Sequence, residues 1–168
     1  DTSPPLCSLT VSGSPGKKAS VYSNVPSISP DLLKTANDAA VQASSGSGVT
    51  VKSILCFDTV RGGQIIGRMY LNPALNTLTT DIKTGITIGS ASVEALFTKW
   101  FQNNIVVIDL AHQGSFGMPV EVAVKADLSA LNTNTLRFYN YDASANVYTL
   151  IENPQYFIDT NGYLHFTT

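Results

Sequence analysis

The feature that most constrains this chain is the alternation in its carboxyl-terminal third. In PVEVAVKADL, residues 119–128, Val120, Val122, Val124, Ala126 and Leu128 share one parity, and Glu121, Lys125 and Asp127 the other. A two-residue period belongs to a pleated strand with one buried face. TLRFYNYD, NVYTLIE, QYFID and GYLHFTT follow, separated by DASAN, NP and DTNG. Strands broken by turn formers roughly every eight to twelve residues predict an all-antiparallel arrangement. The expected class is therefore α+β and predominantly β, an antiparallel β-sandwich or meander with two short helices packed on it.

Residues 27–44, SISPDLLKTANDAAVQAS, carry the first helix signal. Ser29 is a candidate N-cap, Pro30 fits the first helical position and Asp31 the first turn. Leu32, Leu33, Ala36, Ala39, Ala40 and Ala43 would form its apolar stripe. The second signal is SVEALFTKWFQNN, with Ser92 as cap and Glu94 in the first turn. Its Leu96, Phe97, Trp100 and Phe101 fall on adjoining turns, so the single tryptophan is expected in the core. Between the helices, ILCF and QIIGRMYL read as strands joined at TVRGG, and NIVVIDLA, residues 104–111, reads as a buried strand. Residues 1–28 are expected to be an extended arm and 29–168 a single β-rich module. The strand-like run continues to Thr168, so the module is expected to be cut from a longer multidomain protein.

Composition narrows the function. At 168 residues the chain is about one domain long. Hydrophobic residues make up 43% and charged residues only 13%, so hydroxyls and amides must supply surface polarity. That balance suits a secreted β protein. A net charge of -2, with scattered Lys and Arg, argues against nucleic-acid partners. No segment has the roughly 18 to 20 apolar residues of a membrane span, and no leader is visible, so any leader is expected to have been removed. Cys7 and Cys56 are compatible with one disulfide or with two separate thiols.

AHQGSFGM, residues 111–118, contains the types of a hydrolytic set in Asp109, His112 and Ser115. A nucleophile elbow needs glycines two positions on either side of the serine and a helix after it. Gly114 immediately precedes Ser115, and a strand pattern follows. Gly114 and Gly117 instead predict a turn, with Phe116 buried and His112 a hydrogen-bonding corner residue. DTNG, residues 159–162, lacks the later ligands of a calcium loop and reads as a hairpin turn. His112 and His165 have no neighbours at metal-ligand spacing. No catalytic residue, metal site or cofactor is expected, and the chain reads as non-enzymatic.

Alternation that turns Leu136, Phe138, Leu164 and Phe166 inward puts Arg137, Tyr139, Tyr141, Tyr163 and His165 on the other face. If the strands are neighbours, that face carries rings and polar tips suited to sugars. The competing arrangement is a helix covering the tyrosines. Residues 105–168 resemble accessory domains of clostridial and ruminococcal cell-surface, scaffold and cellulosome-associated proteins. The resemblance rests on a pattern of H-x-G-x-F-G, an alternating strand, L-x-F/Y-Y-x-Y and I-D-x-x-G-Y-x-x-F. It implies an extracellular, non-catalytic module of a multidomain protein, acting as a spacer, an adhesion unit or a polysaccharide-binding unit. The chain is expected to be a monomer whose partner is a polysaccharide or neighbouring protein modules. Carbohydrate binding is the first expectation, and a structural, adhesion or protein-interaction role the second.

Overall fold

A computed structural model describes residues 27–45, 48, 50–102 and 104–168, and the backbone of 6–10 and 18–22; of Lys99 it describes the backbone alone. Along the chain the elements are β1 (Leu6–Thr10), β2 (Lys18–Tyr22), β3 (Ser27–Ile28), α1 (Pro30–Ser44), β4 (Leu55–Arg61) and β5 (Gln64–Leu71). A 3-10 turn (Pro73–Leu75), β6 (Ile82–Lys83), β7 (Ile86–Ile88), α2 (Ala91–Phe101) and β8 (Ile108–Leu110) follow. The last are β9 (Glu121–Val124), β10 (Tyr139–Asp142), β11 (Val147–Leu150), β12 (Tyr156–Ile158) and β13 (Leu164–Thr167). The protein is mostly β with two helices, and its sheets are antiparallel.

The main sheet has five strands in the order β12-β13-β9-β5-β4. β9 thus stands between two hairpins distant in sequence, where a simple meander would keep sequential neighbours together. The strand pairs β1-β2, β3-β6, β7-β8 and β10-β11 form separate sheets. Gly62 and Gly63 close the β4–β5 hairpin with φ of +56° and +75°. Positive φ at both central residues gives the turn a twist that matches the strands it joins.

Register makes one face of the main sheet apolar. Phe57, Met69, Val122, Phe166 and Tyr156 form one cross-strand row, and Gly67, Val124 and Leu164 lie in the next. Val120, Val122 and Val124 are fully buried, and Ala126 and Leu128 pack on the core, as the alternation predicts. Ile28, Leu33, Ile82, Ile86, Phe116 and Met118 cover this face. Gly67 lets Ile86 approach, since a Cβ there would lie 2.9 Å from Ile86 Cδ1.

Ser29 Oγ accepts from the Leu32 amide at 3.2 Å, with Pro30 at the start of α1 and Asp31 in its first turn. Its buried stripe is narrower than expected. Leu33, Ala36 and Ala40 face the core, while Leu32, Ala39 and Ala43 are exposed. The small face seats one ridge of the helix on the core. Residues 104–111 form a strand only over Ile108–Leu110, paired with β7. β1, which carries Cys7, runs close to β4, which carries Cys56. The Cys7 side chain lies outside the described residues; Cys56 is buried, its Sγ 3.6 Å from Asp58 Oδ1. The bulk of the arm expected over residues 1–28 likewise lies outside the described residues.

Candidate functional site

The five aromatic and polar residues singled out by alternation do not form one row. Tyr139 and Tyr141 lie on β10, which pairs with β11, whereas Tyr163 and His165 lie at β13 in the main sheet. A helix covers the first pair. Phe97 of α2 meets Tyr141 edge-on at 5.4 Å and Tyr148 at 5.3 Å, and Phe101 meets Tyr139 at 5.7 Å. The apolar side of α2 needed a partner, and the tyrosine side of the β10–β11 hairpin supplies it. Arg137 is exposed just before β10. Trp100, expected in the core, is 66% exposed, while Phe97 and Phe101 of the same helix meet the hairpin rings.

The 111–118 corner is the expected turn. Gly114 and Gly117 have φ of +86° and +65°, and Phe116 is buried. His112 stacks on Phe116, accepts from the Lys83 amide through Nδ1 and meets the Ser115 carbonyl oxygen through Nε2 at 3.0 Å. The Ser115 hydroxyl accepts instead from the Gly117 amide.

Chemistry gathers on the polar face of the main sheet. One cross-strand row runs Phe157, His165, Ala123, Arg68, Asp58, and a second runs Thr167, Glu121, Tyr70, Cys56. His165 is held between two carboxylates, Nδ1 at 2.8 Å from Glu121 Oε1 and Nε2 at 2.8 Å from Asp159 Oδ2. Its ring stacks on Phe157 at 4.4 Å. Asp159 Oδ1 also accepts from the Asn161 and Tyr163 amides, which folds DTNG into the expected turn. Arg68 Nε donates to the buried Asp58 at 2.9 Å. Tyr163 donates its hydroxyl proton to the Ile65 carbonyl, and Lys125 sits over its ring.

Burial works against a charged His165, but the hydrogen bonds to Asp159 and Glu121 outweigh it and raise its pKa above the ordinary 6.5. The same bond from His165, followed by the Tyr163 amide, holds Asp159 below the ordinary 3.8. Both ring nitrogens can donate only in the imidazolium form. Burial also pushes the Tyr70 phenol up.

Beside this row lies a cleft of about 310 Å³ lined by Ile54, Tyr70, Asn72, Pro119, Glu121 and Thr167. It joins a half-buried ring to a carboxylate, an amide and a hydroxyl. Asn72 Oδ1 accepts from the Ala74 amide, so the side-chain nitrogen is left as the donor. Glu121 gives one oxygen to His165 and retains acceptor capacity on the other.

No family model, curated protein or solved structure matches this chain. Among the described residues, no three His, Cys, Asp or Glu side chains are grouped to hold a metal ion, and no helix is long and apolar enough to cross a membrane.

The outward-face reading included His165 and Tyr163 but missed Glu121, Asp159 and Tyr70. Glu121 was visible only as the polar parity of its strand. Tyr70 and Arg68 share a parity in QIIGRMYL, yet nothing in the sequence announces that this strand lies against β9.

Proposed function

We propose that this chain is a non-catalytic carbohydrate-binding module, extracellular like the surface proteins its carboxyl-terminal part resembles, and that the sugar sits in the cleft of Tyr70, Asn72, Glu121 and Thr167. The observation that carries the reading is the make-up of that cleft. A pyranose presents an apolar face to a ring and its hydroxyls to a carboxylate, an amide and a hydroxyl. Among the described residues, charge on the face is balanced: Asp58, Glu121 and Asp159 stand against Arg68, Lys125 and protonated His165. A neutral ligand therefore fits better than an ion, whose charge would find no excess of the opposite sign.

The test is an amide NMR titration with methyl glycosides of glucose, galactose, mannose, xylose and N-acetylglucosamine. The reading expects saturable shifts centred on residues 70, 72, 121 and 167 that Glu121→Gln weakens. Shifts scattered over the surface, or none with any glycoside, would reject it.

A second reading, a protein-interaction or adhesion module, is favoured by a different surface. Leu96, Trp100, Tyr148 and Leu150 flank the α2–hairpin seam and remain 41–66% exposed. Branched aliphatics beside aromatic anchors suit a protein partner better than a sugar. Loss of a specific protein partner in the Leu96→Ser, Trp100→Ala double variant, with glycan titrations flat, would select this reading.

A further inference from the structure

The sugar-sized cleft is not isolated. A second cleft, of about 460 Å³, lies between the carboxyl-terminal half of α1 and residues 50–53. Asn72 lines both clefts. The two also share their walls: residues 50–53 line the second and Ile54 the first, while Ala74 lines the second and Tyr70 and Leu71 the first. Two chain segments thus run side by side from one cleft into the other, with Asn72 at the crossing.

The second cleft is chemically suited to the same kind of ligand. Asn37, Ser45, Thr50 and Asn72 offer amides and hydroxyls, and Ala40 and Val41 offer apolar surface. Its shape is held from below. Ser44 Oγ accepts from the Val51 amide at 2.9 Å, and Ser53 Oγ donates to the Ala36 carbonyl at 2.6 Å, so α1 is tied to the 50–53 segment. A groove preformed in this way loses little freedom when a ligand is laid into it. Among the described residues, Lys52 is its only charged side chain, and the first cleft opens on Glu121, so a chain of acid sugars would meet a carboxylate at one end.

We infer that the two clefts form one groove for a neutral oligosaccharide, one end of the chain lying on Tyr70 and Glu121 and the next sugars passing over Asn72 onto the Asn37–Val41 face of α1. This rests on the glycan reading of the first cleft. Each further sugar adds hydrogen bonds, and a gain of about 1.4 kcal/mol corresponds to about tenfold in affinity.

Calorimetry against glucose, cellobiose and cellotetraose, with the maltose and xylose series run alongside, tests it on wild type and on Asn37→Ala and Val41→Glu. Both substitutions sit on α1 with residues that favour helix, so the fold is kept. The expected result is affinity rising at least about tenfold from one sugar to four in one series, with the rise lost in Val41→Glu and reduced in Asn37→Ala while single-sugar binding is unchanged. A single sugar that binds at residues 70 and 121 with no gain from chain length, or a gain that Val41→Glu leaves intact, overturns the groove alone. Absence of binding at any length overturns the glycan reading and the groove together.

Discussion

His165 reaches Glu121 diagonally across the sheet: its register partner on β9 is Ala123, yet Nδ1 lies 2.8 Å from the carboxylate two residues along. With Asp159 on the other nitrogen, the imidazolium ties β13 to β9 and to the β12–β13 turn. The raised pKa means that this contribution is complete below the ordinary 6.5 and is lost as pH rises through the folded value. The lowered Asp159 pKa means that its share is present above 3.8 and is lost as pH falls through the folded value. Urea unfolding should therefore show greatest stability from this cluster between about pH 4 and 6.5. His165→Gln should lower stability more at pH 5.5 than at pH 9, and an equal loss at both would show that the charge plays no part.

Arg68 and Asp58 pair directly across β5 and β4, with Asp58 only 4% exposed. Arg68→Met keeps the length of the side chain and leaves a buried carboxylate without its charged donor. The expected loss is about 2 kcal/mol, the range for hydrogen bonds to charged groups. Chemical denaturation of Arg68→Met, Asp58→Asn and the double variant should give a double variant less destabilised than the two single effects added together. Simple additivity would mean that the pair is not coupled.

The alternation in residues 119–128 made the buried parity of β9 legible, because a central strand with one apolar face leaves little choice of orientation. Ala123 sits on the polar face and is nevertheless buried, with Arg68 and His165 on either side. That row joins residues 68, 123 and 165, and nothing local to any of those segments encodes which strand will be its neighbour. The cap of α1 and the Gly62–Gly63 turn were readable because their chemistry is local. Whether the tyrosines of β10 face solvent or a helix stayed open for the opposite reason: alternation says which residues share a side, but not that α2 will pack there.

Gly114 and Gly117 share a corner and a positive φ but differ in what surrounds them. A Cβ on Gly114 would meet nothing within 4 Å, whereas one on Gly117 would lie 2.6 Å from Thr77 Oγ1 and 2.7 Å from Leu78 Cγ. Gly114→Ala should cost only the left-handed backbone strain, about 1 kcal/mol. Gly117→Ala should cost that and the overpacking, about 3 kcal/mol together, and should disturb the Thr77 bond to the Gly117 carbonyl. Thermal unfolding of the two variants side by side checks the ordering, and equal losses would mean that the corner relaxes freely.

Phe97 and Trp100 lie on the same helix and are one turn apart; Phe97 packs on the rings of Tyr141 and Tyr148, whereas Trp100 is largely exposed. The tryptophan is the only one in the chain, so its fluorescence reports this position without ambiguity. Its exposure of 66% predicts an emission maximum close to that of indole in water and ready quenching by iodide in the native state. Trp100→Ala should change stability by less than about 1 kcal/mol, since little of the ring is removed from water. Phe97→Ala should cost about 2 kcal/mol or more, because it removes a ring shared by Tyr141 and Tyr148. A blue-shifted, unquenched native emission, or a Trp100→Ala loss as large as that of Phe97→Ala, would mean that α2 is rotated about its axis from the arrangement described and that Trp100 belongs to the seam.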